Sequence, residues 1–107
     1  MTRTLGLVLG TALVASVASA QAPPLKPRYT REVPAALVAK AKVAEDSAFR
    51  IAQAKVPQGA VKAVELENEK GKLIWSWEFT VPGQRGVTEV NVDAVTGDVV
   101  GVEKEGA

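Results

Sequence analysis

Leu73-Ile74-Trp75-Ser76-Trp77-Glu78-Phe79-Thr80-Val81 decides the fold. Every odd position in this stretch is large and apolar, and three of the four even ones are polar. Side chains on a strand alternate between two faces, so the pattern predicts a β-strand with one buried side. Three flanking segments, 60–67, 87–93 and 98–103, have strand character. They are separated by Asn68-Glu69-Lys70-Gly71, Pro82-Gly83-Gln84-Arg85 and Val95-Thr96-Gly97. Connections this short join neighbouring antiparallel strands, so a four-stranded antiparallel meander is expected. Asp93 and Thr96-Gly97 suit a three-residue hairpin closed by a glycine in the left-handed region.

One register per hairpin makes the pattern consistent. Phe79 opposite Thr88 brings Trp77 to Val90 and Trp75 to Val92; Val92 then meets Val100, and Val90 meets Val102. Leu66 opposite Leu73 brings Val64 to Trp75. Val64, Leu66, Leu73, Trp75, Trp77, Phe79, Val90, Val92, Val100 and Val102 then share one face. Upstream, 35–56 is rich in helix formers. The principal helix starts near Ala44, with Glu45 and Asp46 at its positive dipole end, and stops before Pro57 and Gly59. Its apolar residues Phe49, Ile51, Ala52 and Val56 are the natural cover for the sheet, which makes an α+β fold. The segment 35–43 is open between a separate short helix and a continuation of the main one.

The chain has 107 residues, so one domain is expected. Thirteen Lys and Arg stand against 12 Asp and Glu, a balance that gives no footing for nucleic-acid binding. Cysteine and histidine are absent, which removes disulfides, thiol and imidazole catalysis, and the usual zinc sites. No catalytic residue, metal or cofactor is predicted, and an enzyme is not expected. Residues 1–20 carry Arg3, an apolar run from Leu5 to Val17 and then Ala18-Ser19-Ala20, which reads as a cleaved signal peptide for export to a periplasmic or extracellular space. The run is shorter than a membrane span, so stable membrane insertion is not expected. Residues 21–34, with Pro23, Pro24, Pro27 and Pro34 among Lys26, Arg28 and Arg31, read as a Pro-rich basic leader. Residues 35–107 form the single folded domain.

From the helix end QAKVPQGAV to Glu103 the sequence resembles the PepSY domain family. Carrying the resemblance are Ala52, Pro57-Gln58-Gly59, Glu65-Leu66-Glu67, Trp75, Val90, Val92 and Asp93-Ala94-Val95-Thr96-Gly97. It covers about residues 43–103. Two departures are Ala44, where such domains often carry a Ser or Thr cap, and Trp75, where Tyr is common. The resemblance implies a non-catalytic exported protein-binding module, of a kind found in propeptides of secreted metallopeptidases and as small stand-alone proteins, with a proposed role in inhibiting or regulating peptidases. Any peptidase target would be supplied in trans.

On the opposite face of the sheet the same register places Glu65, Glu67, Glu78, Glu89, Asp93 and Glu103, with Glu78, Glu89 and Glu103 in a row. Like charges directly opposed across strands are unfavourable. The row is explained by a basic partner, by the chain's own Lys26–Arg31 leader, by a calcium ion, or by an ordinary solvated face. Two functions follow: peptidase regulation by protein binding, or a structural or cation-binding envelope protein using the acidic face. Asp93 to Asp98 fails as a calcium loop, because Val95 stands where an oxygen ligand is needed. The outer strands, from Ala60 and from Asp98, leave edges for a peptide or a second copy of the chain.

Overall fold

The computed structural model describes residues 28–106. The predicted signal peptide and the leader up to Pro27 lie outside the described residues. Seven elements follow in order: β1 (Thr30–Glu32), α1 (Ala35–Val38), α2 (Glu45–Gln53), β2 (Ala60–Glu69), β3 (Lys72–Thr80), β4 (Val87–Asp93) and β5 (Val99–Glu105). The strands make one sheet in chain order, β1-β2-β3-β4-β5. Three antiparallel pairings form the expected meander, but β1 adds a fifth strand parallel to β2, so the sheet is mixed. Short β1 is followed by Pro34, and a proline just past the end of an edge strand costs no ladder hydrogen bond. Three residues are too few to show alternation, so nothing in this part of the expected basic leader marks a strand. The β2 edge, expected to be free, is therefore covered along Ala63–Glu65.

Helix α1 is separate from α2. The chain between them is tied down by the Ala94 carbonyl, which accepts from the N–H groups of Lys42 and Val43, each at 2.9 Å. At α2, Ala44 occupies the N-cap with no side-chain hydrogen bond, and Glu45 and Asp46 fill the first turn. Ala48 and Ala52 are fully buried, and Val56, beyond the helix end, is buried with them. Gln53 braces the exit by donating to the carbonyls of Val56 at 2.7 Å and Gly59 at 3.0 Å. Gly59 is required there by space. A Cβ on it would lie 2.7 Å from Val56 Cγ1 and 2.9 Å from Phe79 Cβ, closer than carbon atoms approach.

On β3, Trp75, Trp77 and Phe79 are almost fully buried, in line with the alternation. Trp75 Nε1 donates to the Val43 carbonyl at 2.9 Å, and the Phe49 and Trp77 rings pack at 5.6 Å and 60°. The Trp77 indole N–H has no partner among the described residues. The β3–β4 register is the expected one: Trp75 opposite Val92, Trp77 opposite Val90, Phe79 opposite Thr88.

The other two hairpins differ from expectation in their turns. Lys70 and Gly71 both have positive φ, 52° and 82°, and make a two-residue turn, so Leu66 meets Trp75 and Val64 meets Trp77. That is a shift of two from the expected pairing, which leaves every side chain on its predicted face. At the last hairpin, Gly97 (φ 85°) donates to the Asp93 carbonyl and the Asp93 N–H donates to the Asp98 carbonyl, enclosing a four-residue loop instead of three. Ala94 leaves the ladder because its N–H goes to the Leu73 carbonyl and its own carbonyl to Lys42 and Val43. A bulge then leaves Val100 unopposed: Asn91 faces Gly101 and Val92 faces Val99. Val99 joins the core in its place. Val100 and Val102, expected in the core, are 47% and 49% exposed. Val102 faces Val90 in register, but no helix covers it.

Candidate functional site

The sheet face turned away from α2 carries the carboxylates. Its central row runs Ala63, Glu78, Glu89, Glu103 across β2 to β5, with Glu78, Glu89 and Glu103 in line as the alternation predicts. A parallel row holds Glu32, Glu65, Ser76 and Asn91, and a third holds Glu67, Ile74 and Asp93. Five of the six expected residues, Glu65, Glu67, Glu78, Glu89 and Glu103, are thus gathered on one face. Asp93 shares their register but not their role. Its carboxylate accepts from the N–H groups of Val95 at 2.8 Å and Thr96 at 3.0 Å, and these two bonds hold its pKa below the ordinary 3.8. It organises the hairpin.

Three further acidic residues, Glu105, Glu32 and Glu69, join this face; Glu69 ends β2 at the parity of Glu65 and Glu67, in a segment expected to be a turn. Glu105 lies two positions beyond Glu103 on the same face, and its carboxylate and those of Glu89 and Glu103 come within 4.8 Å of one another. Its signal is the parity of Glu103, since β5 runs two residues beyond the expected 98–103. Glu32 belongs to β1, which had no strand signature.

The crowding has electrostatic consequences. The Ser76 hydroxyl donates to Glu89 Oε2 at 2.6 Å. A hydrogen bond with Glu89, followed by the Glu89 charge, raises the Glu105 pKa. Glu65 and Glu67 are raised first by burial and then by neighbouring carboxylates, Glu32 and Glu78 for the former and Glu65 and Glu69 for the latter. Lys62, in the β2 bulge, shares a shallow groove with Glu78 and Glu105. Arg31 does not cover this face. Its guanidinium makes a bidentate pair with Glu45 of α2, and that partner raises its pKa. Lys26 lies outside the described residues.

A pH dependence follows. Carboxylates whose folded pKa is raised bind more protons in the folded state than in the unfolded one, so stability falls as pH rises through the interval above their ordinary 4.5. Melting temperature is expected to increase as pH is lowered from neutral towards 5. A Glu89→Gln variant, keeping an acceptor for Ser76 but no charge, flattens that increase; a thermal-denaturation series from pH 7 to pH 4.5 reads it.

The face is broad and open rather than a pocket. Ser76 is buried and engaged with Glu89, and the chain has no imidazole to activate it. A mostly apolar cleft of about 500 Å³ lies on the helix side, lined by Val33, Val38, Val43 and Trp75 with the Arg31–Glu45 pair at its rim. No helix among the described residues is long and apolar enough to cross a membrane.

A short helix pair on one side of a meander whose other side is carboxylate-rich defines a small α+β module. The family model described as "PepSY: Peptidase propeptide and YPEB domain" matches residues 42–103, from the end of the α1–α2 connection into β5. The chain belongs to the PepSY family. Strand β1, helix α1 and Glu105 lie outside the matched residues. Neither the curated proteins nor the solved structures searched gave a match to the chain.

Proposed function

We propose that this protein is a non-catalytic, exported binding module that restrains or escorts a secreted or periplasmic peptidase, with the carboxylate face of the sheet as its docking surface. Membership in a family whose model is that of a peptidase propeptide carries the reading. The row Glu78, Glu89, Glu103 supports the choice of surface, because opposed carboxylates cost stability that a basic partner would return. In a progress-curve assay, the purified protein is expected to slow its cognate metallopeptidase while itself surviving the incubation. A variant with Glu78, Glu89 and Glu103 all changed to Gln should lose at least about tenfold in apparent inhibition, equivalent to about 1.4 kcal/mol. Rapid cleavage of the native protein with no slowing of the enzyme would remove the peptidase role.

One observation favours a second reading, a structural or cation-binding envelope protein: the close approach of the Glu89, Glu103 and Glu105 carboxylates. Millimolar calcium would then raise the melting temperature of the native protein and leave that of a Glu89→Gln, Glu105→Gln variant unchanged. An equal response in both proteins would dismiss it.

A further inference from the structure

We propose that β5 is an acceptor edge, and that its occupant is an extended partner segment in which basic residues alternate with apolar ones. The proposal rests on the protein-binding reading above and names the chemistry of the partner. Strand β5 pairs only with β4, so among the described residues the backbone donors and acceptors of every second residue along its seven-residue length point outward without a strand partner. Such an edge pairs readily with an incoming strand.

The two faces of β5 set opposite requirements. Towards the carboxylate face stand Glu103 and Glu105, continuing the row from Glu78 and Glu89. An added strand places alternate side chains beside them, where Lys or Arg relieves the repulsion and Asp or Glu worsens it. Towards the helix side stands Val102, aligned with the buried Val90 and still half exposed. An apolar side chain beside Val102 extends the core by one strand. Other features narrow the site. Val100 sits unopposed at the bulge, so the regular stretch runs from Gly101 to Glu105. At the far edge, β1 already occupies part of β2, and its Arg31 is taken by Glu45.

The test uses the isotopically labelled full-length protein and a seven-residue peptide in which Lys and Val alternate. Hydrogen exchange and amide shifts locate the binding. The expected result is slowed exchange at β5 amides, with a peptide carrying Glu in place of Lys binding at least about tenfold more weakly at low salt. A Glu103→Lys, Glu105→Lys variant, altered only at exposed positions, should reverse the preference between the two peptides. Protection confined to β1, α1 or the helix side overturns the proposal, as does failure of both peptides to bind. Concentration-dependent protection of β5 without peptide overturns it in favour of a second copy of the chain. If the peptide fails while the cognate peptidase is still slowed, the edge is wrong and the regulatory reading stands. Peptide binding at β5 without any effect on the peptidase leaves the edge assigned and removes the regulatory reading.

Discussion

Trp75→Ala is expected to cost about 3–5 kcal/mol of folding stability, the range for truncating a buried large aromatic. Against a typical total of about 5–15 kcal/mol for a small domain, that is a large fraction of the stability, and nearly all of it at the low end of the range. The indole is 1% exposed, between Leu66 of β2 and Val92 of β4 in register, and its N–H ties the α1–α2 connection to the sheet through the Val43 carbonyl. Truncation therefore removes core volume and leaves a backbone acceptor without its partner. Trp75→Phe separates the two effects: most of the apolar volume stays, the donor is lost, and the expected cost falls to about 1–3 kcal/mol. Urea unfolding followed by far-ultraviolet circular dichroism measures both. A loss below about 1 kcal/mol for the alanine variant would mean that the helix layer is not anchored through this residue.

Asp93→Ala is the second large effect, about 2–3 kcal/mol at neutral pH, because the carboxylate serves two backbone N–H groups inside one turn. Its pKa is lowered in the folded state. The stability it contributes is thus fully present above the ordinary 3.8 and is lost as pH falls through the lower folded value. The native protein loses this contribution on strong acidification, whereas the variant lacks it at every pH, so the two stability curves converge at low pH. Asp93→Asn, which keeps the acceptor oxygen but not the charge, should recover part of the loss. Curves that stay parallel down to the most acidic point would contradict this account of the hairpin.

Much of the fold was legible because β3 carries an unbroken alternation through Leu73, Trp75, Trp77 and Phe79, and that one strand sets the faces of its neighbours. The acidic row followed from the same parity. A two-residue error in the first hairpin did no harm, since an even shift preserves both faces. Harder to read were features governed by contacts distant in sequence. Ala94 is drawn out of the ladder by Leu73, Lys42 and Val43, which lengthens the last loop. The β4–β5 bulge brings Val99 opposite Val92, and two valines assigned to the core end exposed. Ile74, the one apolar even position of β3, is 3% exposed between Glu67 and Asp93 in register, although nothing in the alternation marked that face as able to bury it. Strand β1 is held by β2 and by the Arg31–Glu45 pair rather than by any local preference, so its three residues gave no signal of their own.

The carboxylate face gathers Glu78, Glu89 and Glu103 in direct cross-strand opposition and adds Glu105 beside them. Its meaning turns on whether a partner neutralises it. The most direct measurement is in-cell crosslinking with the native protein and with the Glu78, Glu89, Glu103 to Gln variant, followed by mass spectrometry of the captured proteins. A secreted or periplasmic peptidase recovered with the native protein, crosslinked near this face and lost with the variant, is the predicted result. Recovery of the same peptidase by both proteins, or of none by either, would contradict the assignment of this face as its docking surface.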